Sequence, residues 1–401
     1  MSALAKLRVL DLGTFIAGPY CATLLGEFGA EVIKIEPPEG GDSEGGDSLR
    51  KFGTNTECGD SLVWLSESRN KKCITLNLRT QRGIDLLKAL IAKCDVVVEN
   101  FRPRVMEKWG LGWDEVRILN PRAVMVRISA YGQTGPYRDR PGFARVAHAF
   151  SGLAFLAGEP GRVPVVPGST SLADYMAGMY GALGAMVALR ARERTGEGQC
   201  VDLGLYEPIF RVLDEIVPAF QQSGFIRERM GADTVNVCPH SHYRTRDGKW
   251  IAIACSNDRI FERLAKAMGR PELAGADRYG PKDKRLAARN EVNGIVADWV
   301  ASLDCADALA RCDEAGTPAS LIYSIADIFA DPQYRARENI RTVDSRIGPL
   351  AVPGIVPKLS ATPGEIRWLG EGLGAHNEEI LCGLLGLASE ELEQLRTQGV
   401  I

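Results

Sequence analysis

Short apolar runs alternate with amphipathic stretches over the first half of the chain, and the alternation predicts an α/β architecture. Residues 7–12 form an apolar strand that runs into Gly13-Thr-Phe-Ile-Ala-Gly-Pro19. A helix over 19–28 follows, with Pro19 where a first-turn N–H is not needed, and then a strand over 31–36. This is one βαβ unit, with a ligand-ready turn at the carboxyl edge of a parallel sheet. Further strands are predicted at 73–78, 95–100 and 123–129, with an amphipathic helix over 80–93. No G-x-G-x-x-G follows the first strand, so a dinucleotide cofactor is not indicated.

Beyond a Gly/Pro-rich loop at 129–143, the pattern predicts a helix over 145–156 that contains His148. A long Gly/Ala-rich helix from Asp174 to about 192 comes next, then a strand at 200–205 and a helix over 206–222. From about 224 the texture changes to two strands near 238–243 and 249–255 with charged helices at 259–268 and 287–303, a smaller α+β domain. We therefore expect a large domain over 1–223, a small one over 224–330 and a C-terminal segment over 331–401. The tail mixes extended chain with two short helices and must dock on something, the first domain or a partner subunit. An exact tandem repeat, Glu39-Gly-Gly-Asp-Ser43 and Glu44-Gly-Gly-Asp-Ser48, reads as a duplication tolerated in a surface loop.

Composition narrows the function classes. A length of 401 residues exceeds the usual single-domain size, which agrees with two domains. A net charge of −3 gives no bulk attraction to nucleic acid or an anionic membrane, so an anionic ligand must be held by local basic groups. Ten cysteines without a C-x-x-C pair and only four histidines argue against zinc or a disulfide framework. His240 and His242 would share a strand face but have no third ligand at evident spacing. No metal is expected. The N-terminus lacks a signal-type apolar core and no apolar span looks long enough for a membrane helix, so the expectation is a cytoplasmic protein that binds no membrane.

Asp174 interrupts a run of small and apolar residues near the start of the long helix. Free N–H groups and the helix dipole there favour the ionised form, which suits either a helix-capping residue or an anionic nucleophile. Arg102, Arg104 and Lys108 follow a strand end, where they could meet phosphates or be solvated surface charge. For His148 the residue-level reading is a core or interface histidine with a satisfied hydrogen bond.

Several segments together carry a resemblance: Leu10-Asp-Leu-Gly-Thr-Phe-Ile-Ala-Gly-Pro19, Gly29-Ala-Glu-Val-Ile-Lys-Ile-Glu36, Val97-Val-Glu-Asn-Phe-Arg-Pro103, Tyr131-Gly-Gln-Thr-Gly-Pro136, Ser171-Leu-Ala-Asp174 and Thr195-Gly-Glu-Gly-Gln199. In this order they resemble the signature set of the family III coenzyme A transferases, and the chain looks nearest to the succinyl-CoA:dicarboxylate group. The resemblance implies an interlocked homodimer with a Rossmann-like large domain, and acyl-CoA and small carboxylic acids as substrates with no permanently bound cofactor. It implies that Asp174 is the nucleophile, passing through an aspartyl-CoA thioester. An ordinary aspartate, pKa about 3.9, would need no general base for this. Phe15, Ala17, Leu76, Asn100, Arg102, Lys108 and Arg140 then become candidates for holding CoA. Thr14, Ile16, Arg145 and His148 become candidates for the acyl or acceptor side, with Arg145 able to grip a second carboxylate. Pro37 stands where relatives can have an adenine-side arginine, so that contact is lost or supplied by another basic residue such as Arg140 or Arg69. The sister racemases carry His-Asp where this chain has Phe143-Ala144, which disfavours racemisation. A subunit of a heteromeric transferase is the other alternative.

Overall fold

The computed structural model describes residues 2–40 and 44–401; residues 41–43, within the first copy of the pentapeptide repeat, lie outside them. Six strands form one sheet: β1 (Arg8–Asp11), β2 (Glu31–Glu36), β3 (Lys71–Thr75), β4 (Val96–Glu99), β5 (Val124–Ser129) and β6 (Cys200–Gly204). Their order is β3-β2-β1-β4-β5-β6 and every neighbouring pair is parallel. The chain moves outward from β1 to β3 and then returns to the other side of β1. The loops after β1 and β4 therefore diverge, and the crevice between them is the position at which open α/β sheets take ligands.

Most strand positions are apolar and buried on both faces, as a covered parallel sheet requires. The exceptions are buried charged positions, among them Asp11, Lys34, Lys71, Glu99 and Arg127. β3 begins two residues before the predicted start because Lys71, fully buried, donates to Asp11 Oδ2 at 2.9 Å and to the Pro19 carbonyl at 2.7 Å. Apolar periodicity cannot register a lysine that is neutralised inside the fold.

Helices Ala17–Glu27 and Leu172–Thr195 pack together on one face of the sheet. Glycine allows this approach. A Cβ at Gly178 would meet the Ala17 carbonyl oxygen and Tyr20 Cδ1, each at 2.9 Å. The second helix has 24 residues and a mean hydropathy of 1.3 over its most apolar window, so by length and composition it does reach a membrane-spanning size, contrary to the sequence reading. Its Ala177, Gly178, Gly181 and Ala185 are buried, whereas Met179, Leu183, Met186 and Val187 are exposed.

On the other face, Leu86, Leu87 and Leu90 of helix Gln81–Ile91 share a core with Ile33, Ile74 and Val97. The tail joins this core through Ile380, Leu381, Leu392 and Leu395. Its backbone also bonds the sheet edge, Asn70 N to the Trp368 carbonyl at 3.1 Å and Asn77 N to the Val400 carbonyl at 2.7 Å.

By internal contacts the chain forms two compact units, one of residues through Leu153, Gly168–Asp214 and Tyr334–Ile401, the other of Ala154–Pro167 and Glu215–Gln333. The second unit holds an antiparallel sheet of β7 (His240–Arg244), β8 (Trp250–Ala254) and β9 (Ala319–Leu321), backed by Phe261, Leu264, Val292 and Val296. The tail of the first unit adds a hairpin, β10 (Ile340–Ser345) with β11 (Gly348–Pro353), which the sequence reading missed. Two predicted helices are each split. The 145–156 stretch is Ala144–Phe150 and Leu153–Leu156, broken at Gly152 with φ 93°. The 206–222 stretch is Tyr206–Arg211 and Ile216–Ser223, separated around Asp214 with φ 51°.

Candidate active site

The loop after β1 is built to a fixed shape. Gly13 has no room for a side chain, since a Cβ would meet Pro19 Cδ at 2.6 Å. Phe15 has φ 60°, a left-handed conformation that costs energy for a bulky residue and persists only when its surroundings over-determine it. The determinants are specific. Thr14 N donates to Asn100 Oδ1 and Asn100 Nδ2 donates back to the Thr14 carbonyl, both at 2.8 Å, so the loops after β1 and β4 clamp one another. Asp47 Oδ1 accepts from Thr14 Oγ1 at 3.0 Å, Phe15 N at 2.9 Å and Leu49 N at 2.9 Å.

Beneath this loop lies a row of paired charges. Lys34 Nζ is 2.7 Å from Asp47 Oδ2 and 3.8 Å from Asp11 Oδ1, and it also donates to the Gly13 carbonyl. Burial alone would raise the Asp47 carboxyl. The Lys34 ammonium and the Leu49 and Phe15 N–H groups outweigh it and hold the group below its ordinary value.

Two cavities of the first unit open at the carboxyl ends of the strands. The larger, about 610 Å³, is lined by Pro37, Pro38, Leu76, Leu78, Arg79 and Trp109, among others. The smaller, about 120 Å³, is lined by Thr14, Phe15, Ile16, Ala17, Asn100, Arg102, Arg140, Phe143 and Asp174, with further small and apolar groups. Thr14 and Phe101 line both.

Eight sequence candidates thus surround the smaller cavity and Leu76 faces the larger one. Three do not line either. Lys108 and Arg145 are exposed, and His148 is buried. Of the two arginines suggested for the adenine side, one is already engaged within the fold. Arg69 is buried between Glu27 at 3.6 Å and Glu67 at 3.8 Å, and it donates to the Pro353 carbonyl. Arg140 borders the cavity of Asp174, and Arg79 is the arginine that shares a cavity with Pro37. Arg79 follows β3 at the ligand edge of the sheet, a signal the sequence contained, but it is a single charge in an ordinary turn.

Asp174 is the third residue of helix Leu172–Thr195 and half-buried. Ser171, the N-cap, makes no side-chain bond to the helix. That duty falls to His148, whose Nε2 accepts the Ala173 N–H at 3.0 Å. Burial, then the neighbouring Arg145 charge, lowers the His148 pKa, so the ring stays neutral and can accept. His148 therefore positions the turn that carries Asp174 and does not itself line the cavity.

Among the described residues no group hydrogen-bonds the Asp174 carboxylate, and burial pushes its pKa up to about 7. The sequence expectation of an unperturbed aspartate fails here, because removal from water outweighs the favourable end of the helix. The cavity lining contains one carboxylate, two arginines and no histidine or lysine among the described residues. An exposed Phe143 lines the same cavity, its ring edge-on to Phe15 with centroids 6.3 Å apart. A single, partnerless, partly desolvated carboxylate suits nucleophilic attack; deprotonation on one face and reprotonation on the other needs two groups.

His240 and His242 lie on β7, and no cluster of three metal-ligating side chains occurs among the described residues.

The family model of CoA-transferase family III matches residues 4–377. The succinyl-CoA–L-malate CoA-transferase beta subunit of Chloroflexus aurantiacus is 54% identical over 401 residues, covering 99% of this chain and 98% of that one. The succinyl-CoA–D-citramalate CoA-transferase of the same organism is 44% identical over 399 residues, covering 99% and 98%. Among solved structures, a CaiB/BaiF family protein from Brucella suis superposes with a TM-score of 0.82 at 31% identity, covering 96% of this chain and 99% of that one.

Proposed function

This chain belongs to CoA-transferase family III, and on that premise we propose that it moves CoA from succinyl-CoA to a short dicarboxylic acid through covalent intermediates on Asp174. The observation that carries the reading is the state of that carboxylate, which lines a cavity with no hydrogen-bonding partner among the described residues. The named activities of the malate and citramalate relatives support a small diacid as acceptor.

The chemistry balances with CoA and the two acids alone. An Asp174 oxygen attacks the thioester carbon, the C–S bond breaks and the thiolate leaves a mixed anhydride. The thiolate then attacks Asp174 Cγ and expels succinate, giving an aspartyl-CoA thioester. The acceptor carboxylate attacks Cγ and expels the thiolate, which attacks the acceptor carbonyl carbon and returns Asp174 as a carboxylate. No net proton moves. The N–H groups of Thr14 and Phe15 are already occupied by Asn100 and Asp47. Oxyanion support therefore falls to Ile16 and Ala17, which line the cavity at the unpaired first turn of helix Ala17–Glu27.

In this reading the larger cavity takes the nucleotide end of CoA against Pro37, Leu76 and Arg79, and the pantetheine arm passes Thr14 and Phe101 to reach Asp174. Exposed Met179, Leu183, Met186 and Val187 on the Asp174 helix support assembly with a second chain. A homodimer is the simpler form, and the beta-subunit name of the malate relative favours a heteromer as the second reading. All ten cysteines are free, which suits a reducing, cytoplasmic setting.

Initial rates with succinyl-CoA and L-malate both varied test the reaction. Parallel double-reciprocal lines are expected if CoA rests on the protein between two half-reactions. Intersecting lines would overturn it. Light scattering of the active species separates homodimer from heteromer.

A further inference from the structure

The arginines that line the Asp174 cavity and those beside them in the chain are not equivalent. Arg104 lies 3.2 Å from Asp139, and Arg138 is 3.6 Å from the same carboxylate. Arg140, next in the chain, has no carboxylate within ion-pair distance among the described residues. Its guanidinium lies over the Tyr137 ring, 3.7 Å from the centroid, and its backbone N–H closes a turn onto the Tyr137 carbonyl at 2.9 Å. Arg102 likewise has no ion pair among the described residues. These two arginines are the cations that line the cavity.

We propose that Arg140, with Arg102, forms the receptor for the far carboxylate of the four- or five-carbon acyl group. The assignment rests on Asp174 as the residue that receives that group. It differs from the sequence-based one, which gave both arginines to CoA and the second carboxylate to Arg145; Arg145 lines neither cavity.

Three physical points carry it. First, a short diacid whose one end reacts at Asp174 must place an anionic end elsewhere in the cavity. The side chains of Phe15, Ile16, Ile128 and Phe143 offer it no donor, so a cation of the lining is the group suited to pair with it. Second, the ring under Arg140 holds its planar fork in place, which reduces the ordering cost of a bidentate grip. Third, burial alone accounts for the raised Asp174 carboxyl, with no cation contributing. Neither guanidinium is therefore spent on Asp174, and both remain open to a substrate. Donor acyl group and acceptor acid occupy the same place in successive half-reactions, so one receptor serves both.

The experiment compares succinyl-CoA with butyryl-CoA, which has a chain of the same length without the terminal charge, by the rate at which each modifies the wild-type enzyme and the Arg140→Gln and Arg102→Gln variants. Both side chains are exposed, and circular dichroism verifies folding. The expected result is a loss of about 10- to 100-fold with succinyl-CoA for Arg140→Gln, the size of one charge-assisted contact. Butyryl-CoA should change less than about threefold, with Arg140→Lys recovering part of the succinyl-CoA loss. Equal losses with both thioesters would overturn the proposal in favour of a contact to the CoA phosphates. Unchanged rates with both would reduce the arginines to solvated surface charge. If the wild-type protein is modified by neither thioester, the nucleophile reading fails and this receptor with it, an outcome distinct from a variant-specific result.

Discussion

The floor beneath the first loop and the start of the long helix treat a buried aspartate in opposite ways. Asp47 meets an ammonium, two backbone N–H groups and a hydroxyl, and is held below the usual carboxylate range. Asp174 meets none of these among the described residues and is pushed up to about 7. A carboxylate whose lone pairs are all used is scaffold, since further bonding would require breaking what it already holds. One left without partners keeps its nucleophilic lone pairs available, and the fold bears the cost of its desolvation. The two sites are linked, because Asp47 holds the strained Phe15 loop that forms one wall of the Asp174 cavity.

The contrast is sharpest when each aspartate is removed. Asp174→Ala should lower the transfer rate by a factor on the order of 10⁴ or more while leaving the folded protein intact. Asp174→Asn should stabilise the fold at pH 8 relative to pH 5. The sign follows from the raised folded-state value: the native protein must carry an unfavourable buried charge above about pH 7, and that penalty disappears below the unfolded pKa. Denaturant titration at the two pH values checks it. Asp47→Ala should do the reverse, costing about 3–5 kcal/mol in the same titration because Lys34 is left buried without its nearest partner.

A second consequence concerns pH and rate. With attack limited to the ionised form, kcat/KM for succinyl-CoA should fall about tenfold per pH unit below about 7 and level off above it. A profile flat down to pH 5 would mean that Asp174 is an ordinary aspartate and the contrast with Asp47 is lost. The smallest expected effect lies at His148. Its Leu variant removes the acceptor that the Ala173 N–H has among the described residues, a loss of about 1 kcal/mol that should lower kcat about fivefold. His148→Gln, which can still accept, should recover most of it. If both variants lose stability but retain kcat per folded molecule, the histidine supports the helix without positioning Asp174.

Much of the scaffold was legible in the residue pattern because parallel strands and amphipathic helices are set by local periodicity. β2 and the helix carrying Asp174 in its first turn both follow from it. What escaped depends on partners distant in sequence. β3 begins at Lys71 because Asp11 lies across the sheet, and the β10–β11 hairpin is masked by exposed polar positions and by prolines at its ends. The breaks at Gly152 and Asp214 rest on backbone angles that composition alone does not dictate. At the site, motif spacing brought Asp174, Asn100 and the 14–17 loop together correctly. It could not tell which arginines face which cavity: Arg79 lines the larger one, Arg102 and Arg140 line that of Asp174, and Arg145 lines neither.

The most direct test is to incubate the protein with succinyl-CoA alone, quench at low pH and map the modified peptides by mass spectrometry. A CoA adduct on the peptide containing Asp174, formed with release of one equivalent of succinate and discharged by added acceptor acid, is the predicted result. Turnover with no adduct there, or with the adduct on another residue, would contradict the account.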